Sequence, residues 1–336
     1  MSRGLLIDRF LEDNGWGGCG RDPLPVDCSF RRYERLTCDD GRHAMLMDAP
    51  PPMEDVRPFV KLARHLRRLG VSVPEVMAAD EEEGFLVIED FGDDTYTRLL
   101  ARGADETALY AVAVDVLAAL QVRPSAVGVD VPRYDTDKLL DEAFLFTDWY
   151  LPSVTGHAVD PIARIDFVDA WASALAAVSG ARGTPPDTLV LRDFHVDNLM
   201  LLRDRTGIAS CGLLDFQDAV IGHPAYDLVS LLEDARRDIA PDLQAAMQQR
   251  YFAARRDLDR GAFMTAYRVL GAQRHTKVLG IFARKSVRDL MPAYLCHIPR
   301  LWRLLEQSLS EPALAPVADW LAKHVPAEQR RIPEIG

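Results

Sequence analysis

No Cys-x-x-Cys pair occurs in this sequence; its five cysteines, an odd number, stand apart at positions 19, 28, 38, 211 and 296. That spacing excludes the usual zinc frameworks, and reduced thiols in a cytoplasm are the expectation. Long apolar runs are also lacking. The longest nearly apolar stretch, Ala108 to Leu120, is interrupted by Asp115 and reads as a buried helix rather than a membrane span. The N-terminus has no charged segment followed by an apolar core and a small-residue cleavage site, so no signal peptide is expected. Positive charge is in deficit: the net charge of −12 argues against general binding to nucleic acid or anionic membranes. Internal repeats and low-complexity segments are absent. What remains is a 336-residue chain, 48% apolar, long enough for a large core and about two domains in a soluble, cytoplasmic protein.

Its chemistry concentrates between Thr188 and Glu233. Thr188 to Leu191 is a short apolar run, two of its four residues β-branched, that reads as a buried strand and stops at Arg192-Asp193. Two further apolar runs, Leu199 to Leu202 and Ile208 to Leu214, flank the polar turn Arg203-Asp204-Arg205-Thr206-Gly207 and read as a hairpin. This arrangement is expected to bring Asp193, Asn198 and Asp215 to one end. Two carboxylates and an amide converging there suit a hard Mg²⁺ ion shared with nucleotide phosphates. With Asn198 and Asp215 as metal ligands, Asp193 is left to orient a hydroxyl and accept its proton. A protein-kinase catalytic loop has an Asp, an Asn five residues later and a downstream metal-binding Asp. Here Arg192 keeps the Arg of His-Arg-Asp, Leu191 replaces the His, and Asp215-Phe216-Gln217 replaces Asp-Phe-Gly.

Asp193-Phe194-His195-Val196-Asp197-Asn198, Asp215-Phe216 and Pro224-Ala225-Tyr226-Asp227-Leu228 resemble the signature of the aminoglycoside-phosphotransferase-like superfamily. The resemblance runs from Ser29 to about Trp320 and is strongest to the bacterial amino-sugar kinases of cell-wall recycling. It implies an α+β, protein-kinase-like fold of two lobes, a small antiparallel-sheet lobe and a larger, mainly helical one. It also implies ATP and Mg²⁺ as cofactors, Asp193 as catalytic base and Asn198 with Asp215 as metal ligands. The His that often stands two residues before the base is Leu191 here, so its role cannot be carried over. Two readings stand for His195, a brace for the loop or a substrate contact. Asp227 reads as an anchor of the loop, and Asp197 and Asp218 as outer supports or solvated acids.

Taken in order, Leu5 to Leu11 reads as a short helix and Gly15 to Gly20 as a loop. Ser29 to Leu36 reads as an exposed strand, Asp40-Gly41 as a hairpin turn, and Ala44 to Met47 as the next strand. Glu54 to Leu69 is an amphipathic helix with Pro58 tolerable only in its first turn and Gly70 as C-cap. Pro74 to Ala79 and Phe85 to Glu89 form a strand pair. Glu89-Asp90-Phe91-Gly92 is either an ordinary turn or the hinge whose backbone meets adenine in kinase-like folds. Residues 1–90 would then be the nucleotide-binding lobe and 91–336 the catalytic and acceptor lobe. Helices are expected at Thr107 to Leu120, Asp137 to Tyr150 and Ile165 to Ser179, and again from Tyr226 to Lys323.

Parts of the kinase pattern are missing. The strand that normally supplies a phosphate-binding Lys reads Ala44-Met45-Leu46-Met47-Asp48, and a Ser29-containing turn stands where a Gly-rich loop would. Arg32, or failing that Arg31, is the expected replacement cation, an Arg being able to grip phosphate oxygens bidentately; a solvated Arg on an exposed strand is the alternative. The expected nucleotide contacts are thus Ser29, Arg31, Arg32, Glu89, Asp90 and Phe91.

For the acceptor, residues 233–303 contain 14 Lys/Arg against 7 Asp/Glu in an otherwise acidic chain. A pocket for a polycationic antibiotic should be acidic, whereas one for a sugar acid needs basic donors. In Gln273-Arg274-His275-Thr276-Lys277, Arg274 and Lys277 share a helix face with His275 beside them; these three and His195 are candidate substrate contacts, or else a solvated face. The expectation is transfer of phosphate from ATP to the anomeric hydroxyl of N-acetylmuramate and N-acetylglucosamine in peptidoglycan recycling. The alternatives are another small acceptor (an aminoglycoside, choline or homoserine) or a nucleotide-binding pseudokinase scaffold.

Overall fold

The computed structural model describes residues 2–25, 30–180 and 182–334. Contacts divide the chain into two compact units. The first is Met1–Val116, Gly128–Asp130 and Val196–Ala219; the second is Leu117–Val127, Val131–His195 and Val220–Gly336.

The first unit is built on a five-stranded antiparallel sheet. Its strands are β1 (Gly20–Pro23), β2 (Arg32–Thr37), β3 (His43–Asp48), β4 (Val76–Asp80) and β5 (Phe85–Ile88), in the order β1-β2-β3-β5-β4. The β2–β3 hairpin turns at Gly41, whose φ of +87° only glycine adopts without strain. Leu36, Ala44, Leu46, Phe85 and Val87 are buried beneath Ile7, Phe10 and Leu11 of the helix Arg3–Asp13. Two expectations are corrected here. The stretch from Gly15 continues into a real strand, β1, so β2 is interior to the sheet rather than exposed. The thiols of Cys19 and Cys38 are joined in a disulfide rather than reduced, because the β1–β2 register sets Gly20 opposite Thr37 and so brings the neighbouring cysteines together. The helix Arg57–Arg68 carries Pro58 in its first turn and buries Phe59, Val60, Leu62, Ala63 and Leu66.

The hairpin β7 (Leu199–Leu201) and β8 (Cys211–Leu213) belongs to this unit because its backbone edges are satisfied there. Leu201 N–H donates to the Asp94 carbonyl at 2.9 Å and Leu213 N–H to the Ser72 carbonyl at 2.8 Å. The expected lobe boundary at 89–92 therefore falls inside the first unit. Residues Gly207–Ser210, expected in the third apolar run, form a 3-10 turn instead.

The second unit is mainly helical. Its small sheet pairs β6 (Thr188–Val190) with β9 (Val220–Gly222). The helix Arg260–Arg288 runs through its centre, capped at its start by Asp259, which accepts from Ala262 N–H at 2.9 Å. Gly280 lets this helix lie against the backbone of the helix Thr136–Leu145: a Cβ at that position would stand 2.1 Å from the Leu145 carbonyl carbon. The expected helix Asp137 to Tyr150 relaxes into a π-helical turn at Phe146–Tyr150. There Phe146, Tyr150, Phe167 and Trp302 form a buried aromatic cluster. Among the described residues, no helix is long and apolar enough to cross a membrane.

Candidate active site

In the first unit, the β7–β8 register sets Leu199 opposite Leu213, and Leu214 N–H donates to the Asn198 carbonyl at 2.9 Å. The residues flanking the hairpin are thereby brought together as the spacing predicted. The Asn198 amide nitrogen lies 3.5 Å from Asp215 Oδ2, and Gln217 Nε2 donates to Asp215 Oδ1 at 2.6 Å. Asp215 has φ +56°, a left-handed conformation costly for a residue with a Cβ. Phe216, stacked on Phe59 at 4.9 Å between ring centres, holds the chain in it. The Asp215 side chain is about half exposed. Among the described residues, no three His, Cys, Asp or Glu side chains could hold a metal by themselves. An open carboxylate beside an amide is the donor set of an ion that takes its remaining ligands from water and nucleotide phosphates, so these residues fit a Mg²⁺ site.

The phosphate cation is Arg31 rather than Arg32. Arg31 Nε donates to Glu54 Oε2 at 2.9 Å, and its guanidinium lies 4.0 Å from Asp215. Arg32 is exposed, because alternate residues of a strand face opposite sides. The third-strand position where kinases keep a Lys holds Asp48, a buried carboxylate that accepts from Arg3 Nε at 2.7 Å. Ser29 lies outside the described residues. Arg31→Ala is expected to raise the KM for ATP roughly 10-fold or more, the worth of a hydrogen bond to a charged group. Arg32→Ala should leave it within about twofold; initial-rate kinetics against ATP check both.

In the hinge segment the side chains are engaged in fastening the chain. Glu89 pairs with Arg205 and Arg67, Asp90 accepts from Arg35 Nε at 2.6 Å, and the Phe91 ring lies under the Arg205 guanidinium. Phe91 also touches Gly212, where a Cβ would approach its ring to 2.8 Å. A cavity of about 260 Å³ lies between this segment and Leu201–Arg205.

In the second unit, Arg192 has φ +68°, again left-handed. Asp227 explains how that is held: its two carboxylate oxygens accept from Leu191 N–H at 2.8 Å and Arg192 N–H at 2.9 Å. Ser230 Oγ donates to the Arg192 carbonyl at 3.1 Å and accepts from Arg274 at 2.8 Å. The expected anchoring role of Asp227 is thus explicit. Asp227→Ala strands two buried N–H groups and should cost about 2–6 kcal/mol of stability, read by denaturant unfolding. Burial pushes the Asp227 carboxyl up to about 7, against the opposing pull of the two N–H donors. The native state therefore keeps a proton that the unfolded state loses near 3.8, and this group makes stability fall as pH rises through that window. Asp227→Asn should remove that slope.

Asp193 follows on this anchored turn, partly exposed. Burial raises its carboxyl, but the charges of Lys277, Arg274, His195 and Arg192 outweigh that and hold it below the ordinary carboxylate value. The base is therefore ionised at neutral pH. Arg274 and Lys277 do share the face toward Asp193. The solvated-face alternative is overturned, since Gln273, Arg274, His275, Thr276 and Lys277 are all buried. His275 is corrected as a substrate candidate: it is fully buried, burial and then Arg274 push its pKa down to about 3, and its Nε2 lies 3.4 Å from Glu233. On a helix, adjacent residues point about 100° apart, so His275 leaves the face that Arg274 and Lys277 share. His195 is buried and, chiefly through that burial, held neutral, the setting of a bracing residue. Asp197 accepts from Thr97 Oγ1 and braces the loop; Asp218 is exposed.

Sequence reasoning missed Glu142. It is buried, accepts from Arg192 and Tyr134, and pairs with Lys277 at 2.8 Å. The only signal was an acid among the apolar positions of a predicted helix. It also missed the Arg31–Glu54 pair, because Glu54 precedes the helix rather than lying within it.

Comparison with known proteins adds to this geometry. The family profile described as Phosphotransferase enzyme family matches residues 21–264. A protein of Caulobacter vibrioides named N-acetylmuramate/N-acetylglucosamine kinase is 39% identical, with 96% of each chain covered. A protein of the same name from Pseudomonas aeruginosa is 38% identical, covering 89% of this chain and 87% of its own. Among solved structures, choline kinase from Cryptosporidium parvum superimposes with TM-score 0.62 at 11% identity, covering 95% of this chain and 99% of its own. The GDP complex of an aminoglycoside 2'-phosphotransferase-IIIa variant gives 0.60 at 15%, covering 94% and 100%. These likenesses bear out the expected α+β, protein-kinase-like fold. The match over most of the chain makes this protein a member of the phosphotransferase enzyme family, a small-molecule kinase acting on a sugar hydroxyl.

Proposed function

We propose that the protein transfers the γ-phosphate of ATP to the anomeric hydroxyl of N-acetylmuramate and N-acetylglucosamine, in the cytoplasmic recycling of peptidoglycan. The observation that carries this reading is the 39% identity, over 96% of both chains, to a kinase named for those two sugars. The charge around Asp193 agrees with it. A base flanked by the buried cations Arg192, Arg274 and Lys277 favours a neutral or anionic sugar and repels a polycationic aminoglycoside.

In this reading Asp193 orients the acceptor hydroxyl and takes its proton as the phosphorus–oxygen bond forms. The backbone of Glu89 to Phe91 meets the adenine edge, and Arg31, steadied by Glu54, neutralises phosphate oxygens. Asn198 and Asp215 hold Mg²⁺, which when bound offsets phosphate charge. Arg274 and Lys277 face the sugar, with His195 supporting the loop. The acidic chain needs neither nucleic acid nor a membrane as partner, and the demand for ATP fits a cytoplasmic enzyme.

The test is ADP release measured over a panel of sugars, aminoglycosides, choline and homoserine, with NMR locating the new phosphate. Turnover confined to the two N-acetyl sugars, with phosphate on the anomeric oxygen, is expected. Turnover on an aminoglycoside, choline or homoserine alone, or phosphate on another hydroxyl, overturns the acceptor assignment. ATP binding without turnover on any acceptor would favour a scaffold.

A further inference from the structure

The least expected group near the base is a carboxylate. Glu142 projects from the helix Thr136–Leu145 into the interior of the second unit. Its Oε2 lies 2.8 Å from Lys277 Nζ, its Oε1 accepts from the Arg192 guanidinium, and the Tyr134 hydroxyl donates to it. The surroundings fix these partners. Tyr134 stacks edge-on against Tyr226 with ring centres 4.9 Å apart, Arg192 lies over the Tyr134 ring, and the Tyr226 hydroxyl is 3.5 Å from Lys277 Nζ. One buried carboxylate thus holds two cations, both of which also act on Asp193, Lys277 most strongly of all the nearby charges.

A base that is to receive a hydroxyl proton must keep a carboxylate oxygen open. An ammonium on a flexible four-carbon stem, buried beside two carboxylates, will pair with whichever is presented to it. We propose that Glu142 is a positioning residue that claims Lys277, and with it Arg192, so that their charges keep Asp193 ionised without closing directly upon it. This rests on Asp193 being the base and adds the device that keeps that base available.

Glu142→Gln preserves shape and removes the charge. With N-acetylglucosamine as acceptor, it should lower kcat at least 10-fold while the KM for ATP stays within twofold, because Lys277 then closes on Asp193. Glu142→Asp should retain most of the activity. The decisive variant is Glu142→Gln combined with Lys277→Met. Removing the freed ammonium should restore kcat at least several-fold above Glu142→Gln alone, a recovery that a merely structural Glu142 would not allow. Rates are referred to ATP-binding sites counted by calorimetry, so any unfolded fraction drops out. A double variant as slow as Glu142→Gln or slower, or a Glu142→Gln enzyme within threefold of the unaltered protein, overturns the proposal. Asp193→Asn, assayed alongside, separates the two ideas: near-normal kcat there removes the base assignment itself, whereas its loss together with an unaffected Glu142→Gln enzyme removes only the role of Glu142.

Discussion

Asp193→Asn is expected to bind ATP and sugar with near-normal affinity and to lose roughly 10²–10⁴ in kcat, the usual contribution of a positioned general base. The substitution keeps the shape of the side chain and removes its charge and basicity. The backbone on either side is held independently: Asp227 holds the turn before it, and the short helical turn Val196–Asn198 follows. The fold should therefore survive, which circular dichroism and thermal unfolding verify. The pH dependence separates a base from a bystander. Because neighbouring cations outweigh burial and hold the Asp193 carboxyl below its ordinary value, the unaltered enzyme should show no acid limb from this group near neutrality. An Asn variant with near-normal kcat would remove Asp193 from the role.

Asp215→Ala is expected to reduce Mg²⁺-dependent turnover by roughly 10³-fold or more, since a metal at transferring phosphate supplies several kcal/mol of charge stabilisation. The informative readout is binding. Calorimetry should show MgATP weakened much more than metal-free ATP. The variant also removes the carboxylate that faces Arg31, so metal-free ATP should bind as well as before or slightly better. Equal weakening of both forms would make Asp215 structural, a support for its left-handed turn. Asn198→Ala should show the same selectivity with a smaller effect, because a neutral amide contributes less to a divalent cation than a carboxylate does.

Where a reading depended on residues close in sequence, the chain carried it. The spacing of Asp193 and Asn198 and the turn at Arg203 to Gly207 specify a hairpin with Asn198 and Asp215 at its base, since strand pairing through a short turn leaves little choice of register. The same locality made Pro58, Gly70 and the Asp40-Gly41 turn readable. Misreadings arose where a partner came from far along the chain. Arg31 and Arg32 look equivalent in sequence, and only Glu54 and Asp215 distinguish them.

What the sequence determined by itself was the inventory of chemistry: a base, an amide and a carboxylate at fixed separations, on a chain with the periodicities of an α+β fold. What tertiary structure alone decided was the state of each group. Cys19 and Cys38 are bonded because sheet register brings them together. The cluster Gln273 to Lys277 lies inside because the helix Arg260–Arg288 is enclosed on all sides. His275 and Lys277, two residues apart, face different acids. The reason is physical: the worth of a charge depends on its desolvation and on the opposite charge within a few ångströms, and neither can be read from the chain until distant segments meet.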